Sequence, residues 1–393
     1  MRAKLGFIFY LAACGLGFAG CTSLDVIQPS TLSAYLPFPP GGVQPPEQTS
    51  TAIDYPVFYA TNRAVIPGET SRKIPYQDKR DSVLHYGLIT VHVPKRHRPG
   101  SLGSASNPDD PNLELTTVSI LDKHDFDDAV EKALNVAATF DGIVLYIHGY
   151  NDTFEYTAER AAQLGVDLAI PPGHMFLFNW PSAGTTTHGY FMDEATIDAS
   201  EPFLYDYLSD IWSLAQGKMI HVIAHSMGNR ALLRVVHALW LAQKNSGIRF
   251  GQIILAAPDV DDEVFQELAT SYPAMSDQTT VYISPFDKAV HASDALHDYG
   301  RIGCANRPYF RIEHVDTVVS NLDVDFIGHG YFAEAEPFLA DMKSLMFYGR
   351  SSRNQVPWHR DPTNTFWEVG NPPALDIVDQ WGCQILPIPF AVR

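Results

Sequence analysis

The sequence is short of cysteine, of basic residues and of long apolar runs. Its four cysteines are too few for a small scaffold held together by disulfide bonds. Lys and Arg number 27 against 45 Asp and Glu, which gives a formal net charge of −18. A chain this acidic repels phosphate backbones and anionic lipid head groups, so nucleic acid is excluded as a partner. No apolar run of about 20 residues follows the N-terminal segment, so no internal transmembrane helix is predicted.

The chain does contain enough apolar material for a large core. Hydrophobic residues make up 46% and aromatic residues 12% of its 393 residues, which excludes disorder of the whole chain. The length allows two or three domains of ordinary size, but α/β domains often run longer as one.

The first 21 residues resemble a bacterial lipoprotein signal peptide. Arg2 and Lys4 form a short basic region, and residues 5–18 form an apolar region too short to span a membrane comfortably. Small residues then precede Cys21, which in this interpretation becomes the lipidated first residue. Cleavage before Cys14 is an alternative that leaves a very short apolar region. An ordinary signal peptide with an incidental cysteine is another.

The remaining chain divides by composition into three parts. Residues 22–52 are rich in proline, which predicts an extended tether. Residues 53–347 are predicted to fold as one domain, and residues 348–393 form a tail without clear periodicity. A lipid anchor and a tether predict a protein held at the bacterial cell envelope. Thr22, in place of Asp after Cys21, favours the periplasmic side of the outer membrane, by resemblance to the enterobacterial sorting rule.

Two cysteines, Cys304 and Cys383, remain after the predicted signal peptide. In an oxidising envelope they could form a disulfide, or they could be two buried thiols, and the sequence leaves both open.

Strand-like and helix-like segments alternate from residue 53 onward. Ile143–Ile147 is a continuous apolar run, as expected for a strand covered on both faces. The alternation predicts an α/β fold with a mostly parallel central sheet and helices on both faces. The predicted strands are Val57–Ala60, Leu88–Val93, Ile143–Ile147, Met175–Phe178, Met219–Ala224, Ile253–Ala257, Thr280–Ile283 and, as the last, Ile312–Val319. The predicted helices include Asp125–Ala138, Ile197–Ala215, Asp262–Thr270 and Phe332–Phe347.

The strongest local signal is Ala224-His225-Ser226-Met227-Gly228, between a predicted strand and a predicted helix. It resembles the nucleophile elbow G-x-S-x-G, with Ala224 in place of the first glycine. A serine on this tight turn exposes its Oγ beside a helix N-terminus, whose dipole favours developing negative charge. The alternative is a buried serine that caps the helix.

A second signal, Tyr146-Ile147-His148-Gly149-Tyr150, precedes the serine by about 75 residues. His-Gly at this place resembles the oxyanion loop of α/β-hydrolases, so the backbone N–H groups of Tyr150 and Met227 are expected to face a substrate oxyanion. His148 precedes the nucleophile and is expected to be structural, because the catalytic histidine of these enzymes comes last.

Two carboxylates after the serine are candidates for the acid. Asp259 follows the strand after the nucleophile, and Asp287 follows the next strand. Most hydrolases of this kind place the acid after the later strand, which favours Asp287. Asp259 stays open as the alternative acid, or as part of a helix N-terminus.

His329 is the favoured base. It lies between Gly328 and Gly330, after the last predicted strand and before the closing helix. His314 falls inside a predicted strand and His291 at a helix start. In the implied mechanism His329 accepts the proton of Ser226, and the acid orients the imidazole and stabilises its charged form.

Several segments together resemble the bacterial α/β-hydrolases catalogued as a domain of unknown function, DUF900. The resemblance covers about residues 53–347 and implies the α/β-hydrolase fold with a Ser-His-Asp triad, but it implies no substrate. The segments are Val57–Arg63, Leu145–Asn151, Phe178–Gly184, His225–Arg230 and Ala256–Asp261.

Two functions of different kinds follow. The first is an envelope-anchored serine hydrolase, a carboxylesterase that works through an acyl-enzyme; thioesterase, amidase and acyltransferase activities would use the same triad. The alternative is a catalytically silent lipoprotein that uses the hydrolase body as a binding or structural module. The sequence has no His-Glu-x-x-His zinc motif, no phosphate-binding loop and no dinucleotide fingerprint, so no metal or cofactor is predicted.

Overall fold

The computed structural model describes residues 49–68, 73–136, 138, 140–182, 187–242, 247–297, 299–305, 312–322, 328–349, 359–360 and 366–370. The predicted signal peptide with Cys14 and Cys21, most of the tether and most of the tail lie outside these residues. Cys304 is disulfide-bonded, but Cys383 also lies outside, so their pairing stays a prediction. Within the described ranges, no helix has the length and apolar character needed to cross a membrane.

The described strands form one sheet of eleven, in the order β10-β11-β9-β8-β7-β6-β4-β5-β1-β2-β3. The strands β1, β4 to β9 and β11 run parallel, while β2, β3 and β10 join through antiparallel pairings at the two edges. Their bounds are β1 Ile53–Val65, β2 Tyr76–Val93, β3 Glu114–Leu121, β4 Gly142–Ile147, β5 Met175–Phe178, β6 Met219–His225, β7 Phe250–Ala256, β8 Ser276–Ile283, β9 Val315–Ser320, β10 His359–Arg360 and β11 Trp367–Val369.

The helices lie between the parallel strands and cover both faces of the sheet. Their bounds are α1 Lys123–Leu134, α2 Phe154–Asp167, α3 Thr187–Leu214, α4 Gly228–Ala242, α5 Asp262–Leu268, α6 Tyr272–Met275, α7 Lys288–His297, α8 Tyr331–Glu334 and α9 Glu336–Tyr348, with a 3₁₀ turn at Ala269–Ser271.

The core is divided by the sheet into two apolar layers. Every residue of β4 is buried, and its side chains alternate between the layers. Ile143 and Leu145 pack in the layer with α1, α3 and α4, while Val144 and Tyr146 pack in the layer with α2 and α9. A strand buried on both faces carries apolar residues at every position, which explains its continuous run. The predicted fold class, a mostly parallel sheet with helices on both faces, is confirmed.

The edges of the sheet differ from the prediction. The strand predicted to be last begins at Val315 rather than Ile312, and it is followed by β11, which pairs in parallel with β9 through Trp367 and Val318. At the other edge, β3 has no predicted counterpart. Edge strands are stabilised by pairing with distant segments, so their own sequence carries a weak signal.

The closing helix is interrupted. It was predicted as one element over Phe332–Phe347, but α8 ends at Glu334 and α9 begins at Glu336. Ala335 between them is extended, because Pro337 lacks an N–H group and its ring clashes with a carbonyl four residues earlier in a continuous helix.

Candidate active site

Ser226 lies on a strained turn at the carboxyl end of β6. Its φ is +51°, in the left-handed region that non-glycine residues rarely adopt. Its N–H donates to the Ala256 carbonyl at 2.9 Å, and its carbonyl accepts from Asp259 N at 3.2 Å. The helix α4 begins two residues later, so the side chain lies beside a helix N-terminus.

Neighbouring glycines allow the backbone to approach this turn closely. A Cβ at Gly149 would lie 2.8 Å from Ser226 Cβ, and a Cβ at Gly228 would lie 2.4 Å from the His148 carbonyl oxygen. Both distances are too short for real carbon contacts. Glycine is therefore required on both sides, and the loop after β4 lies directly against the serine.

A buried amide holds the turn in place. Asn229 Nδ2 lies within hydrogen-bond distance of three carbonyl oxygens, those of Ala224 at 3.1 Å, Ser226 at 3.0 Å and Ala256 at 3.3 Å. These contacts tie the ends of β6 and β7 to the first turn of α4. The surrounding structure thus keeps Ser226 in a conformation that the isolated chain would avoid.

The strain at Ser226 can be measured as stability. Ser226→Gly is expected to raise the free energy of unfolding by about 1 kcal/mol relative to Ser226→Ala, because glycine adopts a positive φ without steric cost. Urea unfolding of the two variants gives the comparison, and both lack the hydroxyl, so the difference isolates the backbone. Equal midpoints would show that the turn stores no strain.

Asp287 holds His329 near the carboxyl ends of the parallel strands, where Ser226 also lies. Its Nδ1 lies 2.9 and 2.8 Å from the two carboxylate oxygens. Asp287 is fully buried and also accepts from Ala289 N at 3.1 Å and Val290 N at 3.0 Å, so it caps α7 as well. Gly328, with a φ of +71°, lies so close to the Phe286 carbonyl that a Cβ would be 2.3 Å from its oxygen. This close approach places His329 against Asp287.

The electrostatics of His329 favour a charged imidazole. Burial by itself lowers the pKa of His329, but the charge and hydrogen bonds of Asp287 outweigh it, so the pKa lies above its usual value. The neighbouring His225 is different: burial, with a smaller effect of His329, holds its pKa well below the usual range. The two ring centroids lie 4.5 Å apart, and His225 also stacks on Phe332 at 4.6 Å.

His329 is next to the serine without being bonded to it. In the described part of the chain, no hydrogen bond joins Ser226 Oγ to His329; the imidazole packs on the residue before the serine. In unliganded enzymes the bond between nucleophile and base is often long and tightens when substrate binds.

Asp259, the alternative acid, is occupied elsewhere. It is buried, and its carboxylate accepts from the hydroxyls of Tyr190 and Ser293, the latter at 2.5 Å. Arg301 Nε lies 3.6 Å away. The structure therefore brings Asp287, and not Asp259, to the imidazole.

The loop of the predicted oxyanion donors is fixed from several directions. Gly149 N donates to Asp152 Oδ2 at 3.1 Å, and Asn151 N donates to Ser182 Oγ at 2.7 Å. Tyr150, between them, packs its ring on Tyr190 from α3 at 5.2 Å. These contacts place the amide of Tyr150 at the end of β4, beside the turn that carries Met227.

His148 and Trp180 lie beneath this loop. Both are fully buried, and their rings stack in parallel with centroids 4.9 Å apart. Trp180 Nε1 donates to the His148 carbonyl at 2.9 Å, and His148 Nε2 lies 3.0 Å from the Trp180 carbonyl. His148 thus joins the ends of β4 and β5, as expected for a structural residue.

Arg63 is a buried cation that connects the same segments. Its guanidinium contacts Asn179 Oδ1 at 2.5 Å, Asp78 Oδ1 at 2.5 Å and the Asp152 carbonyl at 3.1 Å. Burial lowers the pKa of Arg63 to about 10, with partial compensation by Asp78, so it stays charged at neutral pH. Several segments that carried the family resemblance therefore meet under the loop that follows β4.

The comparison with known families agrees with this geometry. The family model described as an alpha/beta hydrolase of unknown function (DUF900) matches residues 123–344, more than half of the chain. The chain belongs to this family.

The similarity of this DUF900 protein to a solved esterase structure is low. A hyperthermophilic esterase from the archaeon Pyrobaculum calidifontis is 11% identical, and the similarity covers 88% of this chain and 98% of that one with a TM-score of 0.31. That score is too low to support an inference about activity. No curated protein matches the chain.

The partners of several residues around the site of this DUF900 protein were not predicted from the sequence. Tyr190 and Ser293 donate hydrogen bonds to Asp259, Ser182 accepts one from Asn151 in the loop after β4, and His225 packs on His329. Ser182 and His225 lie within segments that carried the family resemblance, and Tyr190 and Ser293 lie outside them. No sequence pattern indicates the partner of any of the four. Among the described residues, no group of three or more His, Cys, Asp or Glu side chains could hold a metal ion.

Proposed function

We propose that the protein is a serine hydrolase that cleaves carboxylic esters through Ser226, His329 and Asp287. The proposal rests on one observation. A serine with a positive φ at the end of β6 lies near a histidine whose Nδ1 bonds a buried carboxylate, and both are near the carboxyl ends of the parallel strands. This is the arrangement that nucleophilic catalysis requires, and the family supports hydrolase chemistry.

The histidine acts as base and then as acid. Asp287 accepts the Nδ1–H bond, so Nε2 keeps its lone pair. Nε2 takes the proton of Ser226 Oγ while Oγ bonds the substrate carbonyl carbon and the carbonyl π electrons move to oxygen. The N–H groups of Met227 and Tyr150 stabilise that oxyanion. When the carbonyl reforms, the ester C–O bond breaks and the alcohol leaves with the proton from Nε2.

Water completes the cycle. It attacks the acyl-enzyme and gives its proton to His329, and the second oxyanion collapses to release the carboxylic acid and the Ser226 hydroxyl, which recovers its proton from Nε2. Asp287 keeps its hydrogen bond to Nδ1 and stabilises the imidazolium that forms twice.

Reactivity of the full-length protein tests the proposal. We expect covalent labelling by a fluorophosphonate probe, together with hydrolysis of at least one member of a 4-nitrophenyl ester series from acetate to palmitate. A thioester and an anilide of the preferred acyl group would distinguish esterase from thioesterase and amidase activity. Absence of both labelling and turnover would favour a catalytically silent binding module.

The pH profile is a separate expectation. Because Asp287 raises the pKa of His329, kcat/KM for a neutral ester should fall about tenfold per pH unit below a midpoint that lies above 6.5. The sign follows from the mechanism, since protonated His329 cannot accept the serine proton. Initial rates between pH 5 and pH 9 measure the midpoint, and a midpoint well below 6.5 would contradict the assigned base.

We also propose that a lipid on Cys21 anchors the protein at the bacterial cell envelope, on the periplasmic side of the outer membrane. The basic and apolar regions before Cys21 and the proline-rich stretch after it support this. Metabolic labelling with a palmitate analogue is expected to require Cys21 and to be unaffected by Cys14→Ala. Labelling retained in Cys21→Ala would rule out the assigned cysteine.

A further inference from the structure

A cavity of about 540 Å³ opens beside the candidate active site and is lined by several cations. It lies between α4, the start of α5 and the segment after α7. Arg230 and Arg234 reach it from α4, and His297 and Arg301 from the opposite side. Neither Ser226 nor His329 lines it, so it is separate from the catalytic groups.

Arg301 is the unusual member of this lining. The residue is only 4% exposed, yet its Nε is buried without a hydrogen-bond partner, and its guanidinium makes no hydrogen bond to the described residues. Among the described residues, its ionic contact is with Asp259 Oδ1 at 3.6 Å. A guanidinium carries five N–H donors, and burying even one of them without an acceptor is costly.

The other cations are already paired. Arg230 and His297 share Glu194 of α3, and Arg234 lies 3.2 Å from both Asp198 and Glu201. These pairs fix the walls of the cavity.

The two acidic residues of the lining, Asp261 and Glu263, form no ion pair with Arg301 among the described contacts. Asp261 Oδ1 accepts from Glu263 N and Val264 N, both at 3.1 Å, so it caps α5. Glu263 is exposed to solvent. The buried Nε–H of Arg301 is thus a donor of the cavity lining that has no acceptor among the described residues.

We propose that this cavity binds a small oxyanion, a carboxylate or a phosphate group, through Arg301. The planar guanidinium fork matches two oxygens of either group, and charge-assisted hydrogen bonds would satisfy its buried donors.

The anion could be a free ligand or the acidic end of the ester substrate. Arg230 lies in the first turn of α4, the helix that begins two residues after Ser226. Asp259 joins the two regions, since its N–H bonds the Ser226 carbonyl and its carboxylate lies beside Arg301. The possibility that the anion is part of the substrate rests on the proposed function, whereas binding of a free anion does not.

Calorimetric titration of the full chain with inorganic phosphate and with succinate, at constant ionic strength, tests the site without catalysis. We expect saturable binding of at least one anion, with a Kd raised about tenfold or more in Arg301→Gln. Arg249→Gln is the matched control. Arg249 carries the same charge as Arg301, but it bonds Asp277 near the amino ends of the strands, away from the cavity. Its Kd should equal that of wild type.

Two further measurements keep the test decisive. If Arg301→Gln does not fold, Arg301→Lys retains the charge but loses the fork, and it should still weaken binding. The ratio of kcat/KM for 4-nitrophenyl hemisuccinate to that for 4-nitrophenyl butyrate shows whether the anion is a free ligand or part of the ester substrate. A ratio that falls in the Arg301 variant places the anion on the substrate, while lost binding with an unchanged ratio indicates a free anion. Absence of saturable binding, or equal Kd values in the Arg301 and Arg249 variants, would overturn the site.

Discussion

Ser226→Ala is expected to hydrolyse esters at least about 10⁴-fold more slowly than the wild-type protein and to lose fluorophosphonate labelling. The Ser226 hydroxyl is the only side-chain group in the proposed mechanism that bonds the acyl carbon, so no neighbouring side chain replaces it. Binding and the backbone donors remain, which leaves a small residual rate. Steady-state kinetics on the preferred 4-nitrophenyl ester measure the loss.

A second serine provides the control. Ser209 lies on α3 and donates to the Tyr205 carbonyl of its own helix at 2.8 Å. Ser209→Ala removes the same atom far from the site, and its kcat and labelling should stay within about twofold of wild type. Comparable activity in the Ser226 and Ser209 variants would reject Ser226 as the nucleophile.

Asp287→Asn is expected to lower kcat about 10⁴-fold with little effect on KM. The amide of asparagine donates where the carboxylate accepted, so His329 turns toward the tautomer whose proton lies on Nε2. That nitrogen then cannot accept the serine proton. Loss of the negative charge also removes the main effect that raises the pKa of His329, so the remaining activity should have a lower midpoint in its pH profile.

Asp259→Asn separates the two candidate acids. Asp259 accepts from Tyr190 and Ser293 and does not contact the imidazole, so its loss should reduce stability by about 1–3 kcal/mol. The kcat of the folded variant should stay within about tenfold of wild type, because the His329–Asp287 pair is intact. A larger loss of kcat in Asp259→Asn than in Asp287→Asn would reverse the assignment.

Most of the parallel sheet could be predicted from local pattern. The fully buried β4 carries a continuous apolar run, and a strand of this kind is recognisable without knowing its neighbours. β3 and β11 were missed or left open, since each is an edge strand defined by its partner: β3 pairs with β2, and β11 with β9. Pairing between distant segments leaves little trace in either segment alone.

The cation-lined cavity lay beyond sequence reasoning for a similar reason. Arg230 and Arg301 stand in unrelated parts of the chain, and nothing in their local sequence distinguishes a paired arginine from an unpaired one. The difference arises because α3 supplies Glu194 to Arg230, whereas no described residue accepts a hydrogen bond from the Arg301 guanidinium.

The sequence by itself determined the family, the sheet core and the turn that carries Ser226. All of these depend on contiguous residues whose spacing is read along one strand, one turn and one helix. Only the tertiary structure decided which aspartate reaches His329. Asp259 and Asp287 both follow apolar strands and look alike in sequence, but the close approach of Gly328 to the Phe286 carbonyl carries the imidazole to Asp287. The carboxylate of Asp259 instead accepts a hydrogen bond from the hydroxyl of Tyr190 in α3.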